Sequence, residues 1–267
     1  GNSRVYIIEV NPRSSRTIPF ISKVTGVPMV QIAINAIKGK SIVDQGFTTG
    51  LVDPKALVAV KAPVFSMSKL TGVDTFLGPE MKSTGEVMGI DINYPGALAK
   101  ALIASGLSIP EGSAVLLSIA PQDKKDAVGL VQSLHDQGHR LYATTGTGDM
   151  IEAMGIPVTR IEKKLSQGHP NVVDVITDGT VSVVVNTVTG ERQPLHDGFH
   201  IRRVAAEHRV PCFTSIDTAR AAVESMNSDS MTYEVRRLDE YLAESDLASE
   251  GNSPLSKPSH NLRANIP

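Results

Sequence analysis

The sequence predicts an α/β chain whose second half is a five-stranded, parallel, doubly wound domain. Two observations lead there. From Ser113 to Met226, short apolar runs rich in β-branched residues alternate regularly with amphipathic stretches of helical period. The runs are nearly continuous in hydrophobicity rather than alternating, as expected of parallel strands covered on both faces.

Each element follows from its pattern. Ala114–Ile119 reads as the first strand of this domain, and Asp123–His135 as a helix with Val128, Val131 and Leu134 inward. Arg140–Ala143 is the second strand, Asp149–Met154 a short helix and Val158–Ile161 the third strand. Val172–Thr177 is helical, and Val181–Val185 is a fully apolar fourth strand. Phe199–His208 (helix), Val210–Thr214 (fifth strand) and Ile216–Met226 (helix) complete it. Upstream, the composition of Val5–Val10 suits a buried strand, and Val27, Val30, Ile34 and Ile37 stand at helical spacing before Gly39. Gly46–Leu70 reads as irregular apart from a short strand over Leu57–Val60. Glycines at 78, 85 and 89 make Leu77–Asp91 a folded loop, and Pro95–Ser105 is a helix with Pro in its first turn. After Met226, Tyr233–Leu242 is amphipathic, and Ser249–Pro267 has three prolines and no apolar pattern, the composition of disorder. Ile109–Gly112 is the expected domain boundary.

Composition narrows the functional classes. A net charge of −2 and a pI near 6.4 give no electrostatic case for nucleic acid. The one cysteine, Cys212, excludes an intrachain disulfide framework and fits a reducing, cytoplasmic setting. No apolar run approaches the roughly 20 residues of a membrane helix, so no membrane association is expected. The opening Gly1-Asn2-Ser3 has neither an initiator Met nor a signal-peptide pattern and reads as the cut end of a longer chain.

Two constellations carry chemistry. In VYIIEVNPRSSRTIPF, residues 5–20, the period of a strand places Glu9 and Asn11 on one face, about 7 Å apart. Two oxygen donors so spaced can reach hard cations, and the guanidinium forks of Arg13 and Arg16 suit phosphate oxygens. The same residues would equally serve as a strand-end carboxylate with two surface arginines. The second constellation gathers at the carboxyl ends of the parallel strands, where such sheets bind ligands. Ser118 ends the first strand, with Lys124 shortly after. The second ends in ATTGTG, offering Thr144, Thr145 and Thr147, while Lys163 and Lys164 follow the third. Separately these are a tight turn, a hydroxyl cap and two solvated lysines; on consecutive strand ends they favour a phosphate-bearing ligand. Asn186 and Thr187 end the fourth strand and could meet ribose hydroxyls or simply cap a loop; Asp197 could be a helix cap or a base contact. His169, His196 and His200 lack metal-ligand spacing.

Three segments, in order, resemble the carbamoyl phosphate synthetase large chain. Glu9–Phe20 is similar to the end of its second ATP-grasp half, and GPEMKSTGEVMG (Gly78–Gly89) to the segment after it. Ser113–Met226, with its TTGT loop, is similar to its C-terminal regulatory domain, which is related to methylglyoxal synthase. The resemblance implies four regions: 1–26 the end of the ATP-grasp domain, 27–110 a connecting region, 111–228 a methylglyoxal synthase-like allosteric domain, and 229–267 a largely disordered extension. It implies ATP with Mg2+ or Mn2+ on Glu9 and Asn11, Arg13 and Arg16 at the transferring phosphoryl group, and an effector of UMP or IMP type. That effector would lie on Ser118, Lys124, Thr144, Thr147, Lys163 or Lys164, Asn186, Thr187 and Asp197. It also implies a glutamine amidotransferase small chain or domain as partner, oligomerisation of the full-length enzyme, and a place in pyrimidine and arginine biosynthesis. Some relatives are activated by ornithine, held in part by a Glu two residues after the position of Val60; here that place is Ala62. A stand-alone methylglyoxal synthase-like lyase or nucleotide sensor is the alternative. The lyase needs Gly-Gly-Asp where this chain reads SQGHPNVVD, with Asp174 inside a predicted helix.

Overall fold

The structure, a computed structural model, describes residues 6–9, 13–48, 50–64, 85–163, 168–188, 192–226 and 235–249. They fall into two compact units, one formed by residues of 1–57 together with 236–257, the other by residues of 58–235.

In the first unit, α1 (Thr17–Thr25) ends at Gly26, whose φ of 74° is the left-handed conformation a helix stop favours. α2 (Met29–Ile37) follows after a sharp bend of 112°. A third helix, Leu238–Ser249, returns from the far end of the sequence and packs against α1. It buries Tyr241 and Ser245. Arg236 pairs with Glu244 and lies 5.6 Å above the Tyr241 ring, Lys55 pairs with Asp246, and Leu242 faces Gly26. The amphipathic helix expected near 233–242 is therefore present but shifted towards the C-terminus; the disorder expected beyond it lies outside the described residues. The expected strand over Val5–Val10 is not formed at residues 6–9, which carry no regular secondary structure and leave Tyr6, Ile7 and Ile8 exposed. β-branched composition favours a strand only where another strand supplies the hydrogen bonds.

The second unit opens with an antiparallel pair, β1 (Val58–Val64) and β2 (Gly85–Asp91), with α3 (Tyr94–Ser105) across it. β2 corrects the expectation of a loop to Asp91. Gly89 is there for contact, not for a turn: a Cβ on it would stand 1.9 Å from the Ala97 carbonyl oxygen and 2.5 Å from the Ala101 nitrogen. α3 is capped by the Asn93 side chain, which accepts from the Gly96 N–H at 2.8 Å. Buried Asp91 meets Lys100 Nζ at 2.6 Å, joining strand end to helix.

The doubly wound part follows as β3 (Ala114–Ser118), α4 (Lys124–Asp136), β4 (Arg140–Thr144), α5 (Thr145–Ala153), β5 (Thr159–Ile161), α6 (Val172–Thr177), β6 (Val183–Asn186), α7 (Arg192–Glu207), β7 (Cys212–Phe213) and α8 (Ile216–Met226); the C-terminal helix is α9. The five strands form one parallel sheet, as the sequence predicts, and their order is β5-β4-β3-β6-β7. One face is covered from α4, α5 and α8 by Leu130, Leu134, Ile151 and Val223, joined by Leu102 of α3; the other from α6 and α7 by Val172, Ile176, Ile201 and Ala205. Each of these Leu, Ile and Val side chains contributes about 1.5–3 kcal/mol on burial.

Three expectations are corrected here. Val128 is 41% exposed, the inward position being Ala127 one residue earlier, which is fully buried. α5 begins at Thr145, so after Thr144 closes β4 the TGTG stretch (145–148) is the first turn of a helix, not a loop. α7 begins at Arg192, which places Asp197 inside the helix rather than near its start; Pro194, in the first turn, is compatible with that geometry.

Candidate functional site at the strand switch point

The connection after β3 leads to the face packed by α4, and the one after β6 to the face packed by α7. β3 and β6 are neighbours, so their carboxyl ends diverge and open a crevice, the place where doubly wound sheets receive ligands.

Six of the nine residues expected of the nucleotide site meet there: Ser118, Lys124, Thr144, Thr147, Asn186 and Thr187. Ser118 ends β3 and accepts at its Oγ from Thr144 Oγ1 at 3.4 Å. The Thr147 hydroxyl accepts from the Ile119 N–H at 3.0 Å, and the Thr187 hydroxyl from the Ala120 N–H at 2.9 Å. These bonds fix the backbone that leaves β3 from both sides. The ladder continues with the Thr187 N–H donating to the Ser118 carbonyl at 3.2 Å. Lys124 opens α4 and lays its ammonium on the Gly146 carbonyl in the first turn of α5. A Cβ on Gly146 would stand 3.3 Å from that nitrogen. Thr144 precedes α5 in extended conformation without capping it through its side chain. The first-turn N–H groups of α5 thus stand beside a lysine and two hydroxyls, an arrangement suited to an anion. α5 is tied to β5 by Arg160, which reaches Asp149 at 2.8 Å and Glu152 at 2.6 Å; the hydrogen bond from Arg160 holds the Glu152 carboxyl below its ordinary range.

Other expected residues are less closely placed. Lys163 is half-buried just after β5, while Lys164 lies outside the described residues. Asp197 is on α7, its side chain outside the described residues. Glu9, Arg13 and Arg16 are exposed in the first unit, and Asn11 lies outside the described residues. Among the described residues no cluster of three or more His, Cys, Asp or Glu could hold a metal. Asp174 is the third residue of α6 and forms a capping box with Asn171. Its carboxyl is lowered first by the Asn171 backbone N–H and then by His169, whose Nδ1 lies 2.5 Å away.

One residue of the crevice was not anticipated. Arg202 of α7 is completely buried and donates from its guanidinium to Asn186 Oδ1 at 2.9 Å, while Asn186 Nδ2 donates to the Ser118 carbonyl at 3.2 Å. Its signal in the sequence is a small residue one helical turn before it: a Cβ on Gly198 would fall 2.5 Å from the guanidinium.

Comparison with known proteins bears on both units. Residues 126–214 match the MGS-like domain family, and residues 1–44 match the family described as carbamoyl-phosphate synthase L chain, ATP binding domain. Over 237 residues, 89% of this sequence, the chain is 51% identical to the carbamoyl phosphate synthase large chain of Thermomicrobium roseum. In sequence the chain is similar to part of a carbamoyl phosphate synthase large chain. It spans 22% of the length of that synthase. Among solved structures, a methylglyoxal synthase from Elizabethkingia anophelis is matched at 19% identity and a TM-score of 0.34, covering 50% of this chain and 92% of that one. The relationship to the synthase thus rests on sequence, and the parallel sheet on this structure itself.

Proposed function

We propose that this chain is the C-terminal segment of a carbamoyl phosphate synthase, an ATP-dependent ligase making carbamoyl phosphate from bicarbonate and glutamine-derived ammonia for pyrimidine and arginine biosynthesis. The observation that carries this reading is the 51% identity sustained over 89% of the sequence. In it, the enzyme works in the cytoplasm with a glutamine amidotransferase partner, as an oligomer. Its first unit contributes Glu9 and Asn11 to the magnesium of the second ATP site, and Arg13 and Arg16 to the phosphoryl group. Magnesium typically takes one or two protein oxygens and completes its shell with phosphates and water, and the donor set Glu9 and Asn11 suits that habit. When bound, the ion neutralises charge on the phosphates; the arginines orient the group in transfer.

The second unit is the regulatory nucleotide site. Lys124, Ser118, Thr144, Thr147 and the start of α5 take the phosphate, Lys163 or Lys164 adds a second cation, and Asn186, Thr187 and Asp197 take the nucleoside. A charge-assisted hydrogen bond contributes about 1.5–3 kcal/mol, so Lys124→Ala is expected to weaken UMP or IMP binding at least tenfold in titration calorimetry. Equal affinity in wild type and variant would reject the site. Asp174 is committed to the cap of α6, which gives the lyase alternative no support.

Ornithine is expected neither to bind nor to activate. The place of the activator's carboxylate partner is Ala62, and the neighbouring acid Glu86 already lies 3.5 Å from Lys61 across the β1–β2 ladder. Burying an ammonium without its partner costs several kcal/mol, more than the roughly 1–3 kcal/mol of typical effector coupling. An ornithine-dependent fall in the apparent KM for ATP would reject this expectation.

A further inference from the structure

We propose that Arg202 is a positioning residue of the switch-point crevice: through Asn186 it clamps the ends of β6 and β3 and so sets the nucleoside side of the site. The inference rests on the nucleotide-site reading and adds to it a residue that itself touches no ligand.

The argument begins with burial. A fully buried arginine is rare unless its donors are used. A guanidinium only donates, so the Asn186 carbonyl oxygen must face Arg202 and its NH2 must face the Ser118 carbonyl, and the amide has one orientation. The chain guanidinium–amide–carbonyl crosses from α7 to β6 to β3 at the point where the two strands diverge. The next residue, Thr187, is held to the Ser118 carbonyl and to the Ala120 N–H. Asn186 and Thr187 are thus placed together, from behind, by a side chain on the far face of the sheet.

Gly198 completes the device. It stands one turn before Arg202, and a Cβ there would lie 2.5 Å from the guanidinium and 3.0 Å from Asn186 Oδ1. The guanidinium is the end of a flexible side chain, so a methyl group at 198 displaces it without deleting it. The phosphate side of the crevice is built from other elements: Lys124 on α4 and the first turn of α5. Loss of the clamp should therefore affect the two halves of a nucleotide unequally.

The test uses the purified 267-residue chain and measures by calorimetry the affinity for UMP, for IMP and for inorganic phosphate. In Arg202→Met, affinity for the nucleotide that wild type binds more tightly is expected to fall tenfold or more, and that for phosphate less than threefold. Gly198→Ala is expected to show the same unequal loss, and Arg202→Lys, which keeps a buried donor, to recover nucleotide affinity to within about threefold of wild type. Unchanged nucleotide affinity in Gly198→Ala and Arg202→Met would overturn the inference while leaving the nucleotide site standing. Equal losses for nucleotide and phosphate would also overturn it, since they report general damage to the fold. If Arg202→Met does not fold, Gly198→Ala alone decides between these outcomes. Wild type binding neither nucleotide would overturn the underlying reading instead.

Discussion

A full-length carbamoyl phosphate synthase carrying this segment with Glu9→Gln is expected to lose the carbamate-phosphorylating half-reaction by about 1000-fold or more. The substitution keeps shape and one oxygen but removes the negative charge that a hard cation requires. Metal-borne charge stabilisation amounts to several kcal/mol in the transition state, and each 1.36 kcal/mol is a factor of ten in rate. Glu9 is exposed in this structure, so the fold should tolerate the change. Carbamate-dependent ADP formation, followed against magnesium concentration, checks the result. A near-normal rate at ordinary magnesium would show that Glu9 is not a metal ligand.

Gly89→Val is expected to destabilise the second unit strongly. The two nearest neighbours of the new Cβ, the Ala97 carbonyl oxygen and the Ala101 nitrogen, are backbone atoms of α3 and cannot rotate away. The helix would have to lift off β2, taking with it Leu102, which belongs to the core shared with α4 and α8. Overpacking usually costs about 1–3 kcal/mol, and more where backbone must move, so roughly 3–5 kcal/mol is expected here. At about 2–4 °C per kcal/mol for a domain of this size, the melting temperature should fall by roughly 6–20 °C. Gly129→Ala is the matched control: Gly129 is exposed on α4, nothing lies within 4 Å of its would-be Cβ, and Ala there should stabilise by about 0.5–1 kcal/mol. Thermal unfolding followed by circular dichroism distinguishes the two. A Gly89→Val protein melting with wild type would mean that α3 does not rest on β2 as described.

The parallel sheet was legible because its strands are buried on both faces, so Val115–Leu117 and Val183–Val185 carry their assignment in composition alone. The edges were less legible. β2 was hidden by its glycines, and Gly89, which admits the backbone of α3, looks in sequence like a glycine that makes a turn. α1 was missed because Thr17–Thr25 contains Pro19 and several β-branched residues, poor helix formers outweighed by packing against α9. At the crevice, Ser118, Lys124, Thr144 and Thr147 could be found because hydroxyls and lysines at strand ends are an interpretable pattern. The sequence does not reveal that Thr147 and Thr187 spend their hydroxyls on the backbone after β3. Nor does it reveal Arg202, whose neighbour Arg203 looks identical in type yet pairs with Glu207 at the surface.

The return of α9 to α1 makes the first unit discontinuous in sequence, with the second unit inserted between residues 57 and 236. An inserted domain is a closed loop, held at both ends by its host, whereas an appended one is a pendant free at one end. Closing the loop has already removed the chain entropy that separates the two arrangements, a quantity that grows only logarithmically with the length inserted. The second unit is therefore joined to the first by the backbone at both of its ends, and the closure of that loop depends on α9 keeping Tyr241 and Ser245 buried within the first unit. Fraying of α9 would turn the loop into a pendant without breaking a single bond of the backbone.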